Sequence, residues 1–196
     1  MSNKIKYGLK NVYYAKATIA TNGSATYDTP VAWPGAVNLS LDAQGDITKF
    51  RADNVDYWTG AANNGYEGDF ESALIPESFK KDILGETDDA NGVTYEEIAA
   101  TGAHFALLFE FAGDEHSTRH ILYNCTATRP ALASQTTEES IEPVTESITI
   151  SAGSVYNASL DKDIVKARCN KTDSATQYNA WFTTVYQPSG TPIVTA

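Results

Sequence analysis

The chain has 196 residues, 42% of them hydrophobic and 20% charged, and no apolar run approaches the 18 or so residues of a membrane span, so it reads as one globular domain (1–196) with a sizeable core. A formal net charge of −11 argues against gripping nucleic acid, which takes clustered Lys and Arg to neutralise phosphates, but not against a surface that lets nucleic acid slide past. With only Cys125 and Cys169 present, a disulfide framework and a four-cysteine zinc site are excluded.

The opening MSNKIKYGLKNVYYA lacks the continuous apolar stretch of a signal peptide, which predicts synthesis in the cytoplasm, and Tyr7 to Tyr14 is β-prone. Turn signals at Thr21–Ser24 and Pro30–Gly35 follow. Ala36–Leu41 alternates as a strand, and Asp42–Gly45 is expected to turn it back against a second strand over 46–52. Residues 53–64, DNVDYWTGAANN, place the aromatics Tyr57 and Trp58 among small and polar residues and read as a projecting hairpin loop.

Residues 66–74 alternate with period two, so Tyr66, Phe70 and Leu74 are expected to face a core while Glu67, Asp69 and Glu71 form an acidic row, each about 7 Å from the next. Pro76 stops that strand. Phe79, Ile83 and Leu84 then recur at helical spacing up to Gly85, which predicts one helix over 76–84 packing Phe79 and Ile83 onto the sheet, with Lys80, Lys81 and Asp82 outward. The nearly continuous apolar run 104–111 suits a strand buried on both faces, and 119–128 returns as its hairpin partner. A strand resumes at Ser147–Ile150, Ile164 and Val165 are expected in the core, a last strand is predicted over 180–186, and 187–196 is expected to be a C-terminal tail. Many short strands with one helix predict a mainly β protein, a sandwich or partly closed barrel with a flanking α-helix.

Catalytic or metal chemistry finds little support. His116 and His120 have the spacing of a helical metal pair, but on a hairpin four residues span about 13 Å, too far for one ion. Glu67 with Asp69 or Glu71 has a spacing permissible for a glycosidase, yet carboxylates in one open row share an environment, whereas acid and base roles need theirs pushed apart. No nucleophile elbow, phosphate-binding loop or H-E-x-x-H is present. No cofactor is implied.

Six stretches recur in order: KYGLKNVYYA (6–15), FRADN (50–54), GYEGDFESALIPESFKKDILG (65–85), FALLFEF (105–111), RHILYNCTATRP (119–130) and TTEESIEPVTESITI (136–150). Together they resemble the major tail proteins of bacteriophages with long non-contractile tails, over most of residues 4–168. The resemblance implies a non-enzymatic virion protein of the phage tail, whose hexameric rings stack into a tube crossed by genome DNA at ejection. It also implies strands continued between neighbouring subunits, a long hairpin loop and the termini touching the next ring, and the tape measure protein and tail terminator as partners. In that setting the face of Glu67, Asp69 and Glu71 is expected either to line the channel, where like charge keeps phosphates from sticking, or to face outer solvent. Tyr57 and Trp58 are the expected inter-ring anchors. Two rivals stand beside this reading: a decoration or carbohydrate-binding β module in which Tyr57, Trp58 and Trp33 stack on sugars, and a glycosidase.

Overall fold

The computed structural model describes residues 7–113, 117–134, 136 and 143–190. From the N-terminal side come β1 (Leu9–Ile19), β2 (Ala25–Tyr27), β3 (Val31–Ala32), β4 (Ala36–Ala43), β5 (Ile47–Ala52), β6 (Val55–Ala61) and β7 (Tyr66–Ser72). A helical segment, α1 (Glu77–Phe79) widening into a π-type turn over Lys80–Leu84, leads to the small ladder of β8 (Thr87–Asp88) and β9 (Thr94–Tyr95). Then follow β10 (His104–Phe111), β11 (Arg119–Ala127), β12 (Glu146–Gly153), β13 (Val155–Asn157), β14 (Lys162–Ile164), β15 (Lys166–Cys169) and a second short helix, α2 (Ala175–Ala180).

The main sheet is antiparallel and runs β2-β1-β10-β11-β12-β7-β4, with β3 added to β1 and β15 to β11. It divides at β11, whose first half, Arg119–Leu122, pairs with β15 and whose second half, Asn124–Ala127, pairs with β12. Two leaves result, facing each other across the larger core, and among the described residues β4 and β1 are not paired, so the sheet stays open.

The apolar run of β10 serves both sides. Phe105, Leu107 and Phe109 enter the core between the leaves, with Leu122, Phe70, Ile148 and Ile150. Ala106 and Leu108 enter a second core behind them, with Ile121, Tyr123, Val155 and Trp181. Alternation along a strand makes this possible, because each face meets a different set of neighbours.

Phe79 is the hub of the first core, its ring edge-on to Tyr14 and Phe105 and tilted against Trp33. Ile83 is buried beside it. Gly85 closes the segment with φ 83°, a left-handed conformation that costs glycine little. Lys81 points out and pairs with Asp88, but Asp82 turns inward to accept from Tyr14 Oη at 3.0 Å.

Further expectations are corrected, among them the loop over 53–64, which is the turn Asp53–Asn54 followed by strand β6 because residues 55–61 pair with β5. The predicted hairpin of 36–41 with 46–52 does not form: β4 pairs with β7, and β5 pairs with β6 around Asp53–Asn54. Both turn residues have positive φ, 52° and 62°, which suits a two-residue hairpin turn and outweighs the turn composition at 42–45. Leu74 is exposed, because the chain bends at Ala73 and Leu74 and it is Ile75 that enters the core. The strand predicted over 180–186 is the end of α2 and the turns after it. Its aromatics cap the second core as side chains: Trp181 is buried and its Nε1 donates to the His120 carbonyl, while the ring of Phe182 stacks on Tyr13. Strand propensity measures fit to a half-buried surface, and this segment finds that surface without a sheet edge.

Candidate functional site

The acidic row lies on the outer face of the leaf β4-β7-β12, the face turned away from the core. Register places Asp42 beside Glu67, Ser40 beside Asp69 and Asn38 beside Glu71 on one flank, and Ser151, Thr149 and Ser147 on the other. Partners across a ladder share a face, so four carboxylates and a set of small polar side chains form one surface. None of the residues of β4, β7 and β12 is Lys or Arg.

Two of the carboxylates are held in place: Asp69 Oδ1 accepts from Thr149 Oγ1 at 2.9 Å and Glu71 Oε1 from Thr145 Oγ1 at 2.5 Å. Gly68 lies on the leaf's inner face, where a Cβ would collide with the Ser40 carbonyl, so only glycine lets β7 and β4 approach this closely.

The second surface is an arm. β5 and β6 prolong the β4–β7 ladder beyond the body, and the junction is bridged by Gln44 N donating to the Gly65 carbonyl, Asn64 N to that of Gln44 and Ala62 N to that of Asp46. Six residues at roughly 3.3 Å each carry the tip about 20 Å out. Tyr57 and Trp58 sit on the returning strand β6, 72% and 56% exposed, on opposite faces of the arm. Trp58 is directly across from Phe50 and its ring lies over Gly60, which has no side chain to lift it. Ile47, Phe50 and Val55 are exposed too.

A third constellation escaped sequence reading. Glu110, 3% exposed, receives Lys10 Nζ at 2.8 Å and Arg119 Nε at 3.0 Å, with Asn11 Nδ2 at 3.4 Å. Burial pushes its carboxyl up, but the hydrogen bonds from Lys10, Arg119 and Asn11 outweigh that and hold it below the usual carboxylate range. Arg119 continues outward, donating to the Tyr178 carbonyl and stacking 3.7 Å over the Tyr178 ring and 4.6 Å from that of Phe182. The network thereby ties β1, β10 and β11 to the C-terminal helix. The sequence signal was the lone Glu within FALLFEF, a charge in a run otherwise fit only for burial.

The structure does not bring the chemical candidates together. Glu67, Asp69 and Glu71 lie on an open face, not in a cleft. His116 lies outside the described residues, and His120 stacks on Phe109, 5.2 Å between ring centres. Among the described residues no group of three His, Cys, Asp or Glu side chains could hold a metal ion. Trp33 is buried with its Nε1 donating to Ser72 Oγ, so it cannot stack on a sugar, and Tyr57 and Trp58 do not share a face. Among the described residues no helix is long and apolar enough to cross a membrane.

The sequence model of the family described as "Phage tail tube protein" matches residues 1–195. No curated protein sequence matches the chain. Among solved structures, the cryo-EM structure of the anti-feeding prophage tube-terminating cap is similar at 10% identity, covering 85% of this chain and 93% of that one with a TM-score of 0.43.

Proposed function

Because the chain belongs to the phage tail tube protein family, and so is a structural protein of the virion tail, we propose that it forms hexameric rings which stack into the tube, with the β4-β7-β12 face lining the channel. The observation that carries this reading is the cation-free outer face: Asp42, Glu67, Asp69 and Glu71 among Ser, Thr and Asn, with neither Lys nor Arg on any of the three strands. DNA passing such a wall meets repulsion at every ring and no cationic site at which to stick. Screening confines the effect to about 8 Å at physiological salt, so the wall lubricates and does not drive transport.

Ring formation uses the sheet's open edges. β4 ends the sheet on one side and β2 and β3 on the other, and pairing with neighbouring copies satisfies backbone groups that a lone subunit leaves to water. The arm of β5 and β6, with Tyr57 and Trp58, makes the contact between rings. The tape measure protein inside the tube and the terminator at its end complete the set of expected partners.

Electron microscopy of the purified, concentrated protein tests the assembly: six-fold annuli and tubes support it, and particles that stay monomeric at every concentration overturn it. Replacing Glu67, Asp69 and Glu71 together by Lys tests the channel face. Slowed or arrested genome release from otherwise normal tails is expected, and unchanged release kinetics would remove the lumen assignment.

A further inference from the structure

The two sides of the main sheet do not end alike. Among the described residues no side chain or loop hydrogen-bonds along the outer edge of β4, so that edge is bare. The edge of β2 is not. Ala20 N donates to the Ser24 carbonyl at 2.8 Å and Asp28 N to that of Lys16 at 3.0 Å, with Thr26 opposite Thr18 between them. By the alternation of an antiparallel ladder, Ser24, Thr26 and Asp28 turn their backbone groups to β1, and Ala25 and Tyr27 turn theirs outward. Just before them the Gly23 carbonyl accepts from Tyr156 N of β13 at 2.9 Å, and the Ala25 carbonyl accepts from the side-chain Nε2 of Gln187 at 3.4 Å.

Gln187 belongs to the segment that follows α2, and the root of that segment is firm. The Tyr186 ring stacks on Trp181 with 5.6 Å between centres, and the Tyr186 carbonyl accepts from Tyr123 Oη at 2.9 Å. Beyond it one side chain holds the chain: Asn157, 5% exposed, donates from Nδ2 to the Pro188 carbonyl at 3.0 Å and to Gln187 Oε1 at 3.4 Å, while its Oδ1 accepts from Leu160 N at 3.0 Å. Asn157 thus aims the Gln187 amide at β2. The bond it delivers is exposed and longer than the usual N–H···O contact, so it is easily exchanged for another.

We propose that residues 186–188 form a latch on the β2 edge, in which Gln187 Nε2 occupies the place of an incoming strand's N–H and is displaced when β4 of a neighbouring copy pairs with β2. This rests on the reading of the open edges as the ring joint, and it adds what keeps free subunits from pairing ahead of that joint. A ring built head to tail brings two different edges together, and β4 is the bare one.

A side-chain cover suits the task. Two bare edges on one sheet are a standing template for uncontrolled pairing, and proteins blunt such edges by shortening or covering them. A covering strand would shut the edge for good. A single amide gives way instead: the Ala25 carbonyl exchanges Gln187 for a backbone N–H, while Ala25 N and both backbone groups of Tyr27 gain partners. Since Tyr186 stays on Trp181 and Tyr123, the exchange does not uncover the second core. The rival edge is β3, whose two residues, Val31 and Ala32, lie farther along β1.

Hydrogen exchange read residue by residue on the unaltered full chain, as free subunit and as assembled tubes, tests the latch. The Ala25 and Tyr27 amides are expected to exchange about tenfold or more slowly in tubes. Tubes in which both amides exchange as in the free subunit overturn the latch and leave the ring reading standing, as does slowing confined to Val31 and Ala32. A protein that forms no tubes at any concentration overturns the ring reading and the latch together. In a second measurement, Gln187→Ala removes an exposed side chain outside both cores and is expected to leave subunit melting unchanged while shortening the lag before tube growth, followed by light scattering, about threefold or more. A lag equal to or longer than that of the wild type overturns the proposal.

Discussion

The hairpin of β10 and β11 and the hairpin of β5 and β6 are both antiparallel and both rich in apolar side chains, yet the first is buried on two faces and the second on neither. Phe105, Leu107 and Leu108 have no exposed surface, while Phe50, Tyr57 and Trp58 have more than half of theirs. A two-stranded hairpin in water is marginal on its own. The arm persists because it prolongs the β4–β7 ladder, with Phe50 against Trp58 and Lys49 tied to Asp56. The contrast teaches that apolar content stabilises the chain's own core in one hairpin and is left exposed to solvent in the other.

The sharpest way to break this contrast is to truncate an aromatic in each hairpin. Phe105→Ala should cost about 3–5 kcal/mol of subunit stability in urea unfolding, from lost burial plus the cavity left behind. Trp58→Ala should stay within about 0.5 kcal/mol in the same assay while abolishing tubes, and equal losses at the two positions would undo the comparison.

Next comes the charge buried at the end of β10. Arg119→Leu should destabilise by about 1.5–3 kcal/mol, since it removes one of two cationic partners from a nearly inaccessible carboxylate and releases α2. The pH dependence has a defined sign. Because Glu110 is held below the usual range, its contribution is present above the unfolded value of about 4.3 and is lost as pH falls through the lower folded value. Melting temperature should thus drop between about pH 4.3 and more acidic conditions in the wild type, and less steeply in Glu110→Gln; a steeper fall in the variant would contradict the network.

A smaller loss, about 1–3 kcal/mol, is expected for Gly68→Ala, whose added methyl must push β7 away from β4. Chemical denaturation of the subunit measures it. The mildest signature is chemical: burial pushes the Cys125 thiol up to about 12, so iodoacetamide near pH 8 should leave Cys125 unmodified until denaturant is added. Rapid alkylation under native conditions would mean that the two-faced core opens far more readily than the buried hairpin implies.

Much of the fold was legible because burial leaves a periodic trace. The period-two pattern of 66–72 reported the two faces of β7, and the unbroken apolar run of β10 reported two cores. The π-type widening of the helix and the inward turn of Asp82 left no such trace, since both depend on what Tyr14 and Phe79 meet across the core. Of the candidate surfaces, the acidic row and the aromatic arm were visible as residues, but not their arrangement. That β4 brings Asp42 beside Glu67, or that Tyr57 and Trp58 point opposite ways on a strand, follows from pairing. Leu74 was misplaced because alternation was extended through a bend that Ser72 within the segment and Glu146 outside it hold in place.

By itself the sequence determined the β character, the buried run of β10, the helix start at Pro76 and the carboxylates alternating with core residues on β7. All of these are local, written by side-chain period and by the fixed φ of proline. Only the tertiary structure decided that β11 divides between β12 and β15, that β4 pairs with β7 and not with β5, that aromatic residues 181 and 182 cap a core without joining the sheet, and that Glu110 finds Lys10 and Arg119. Those choices belong to contacts between residues far apart in the chain, whose free energy depends on which faces and edges the rest of the molecule leaves open.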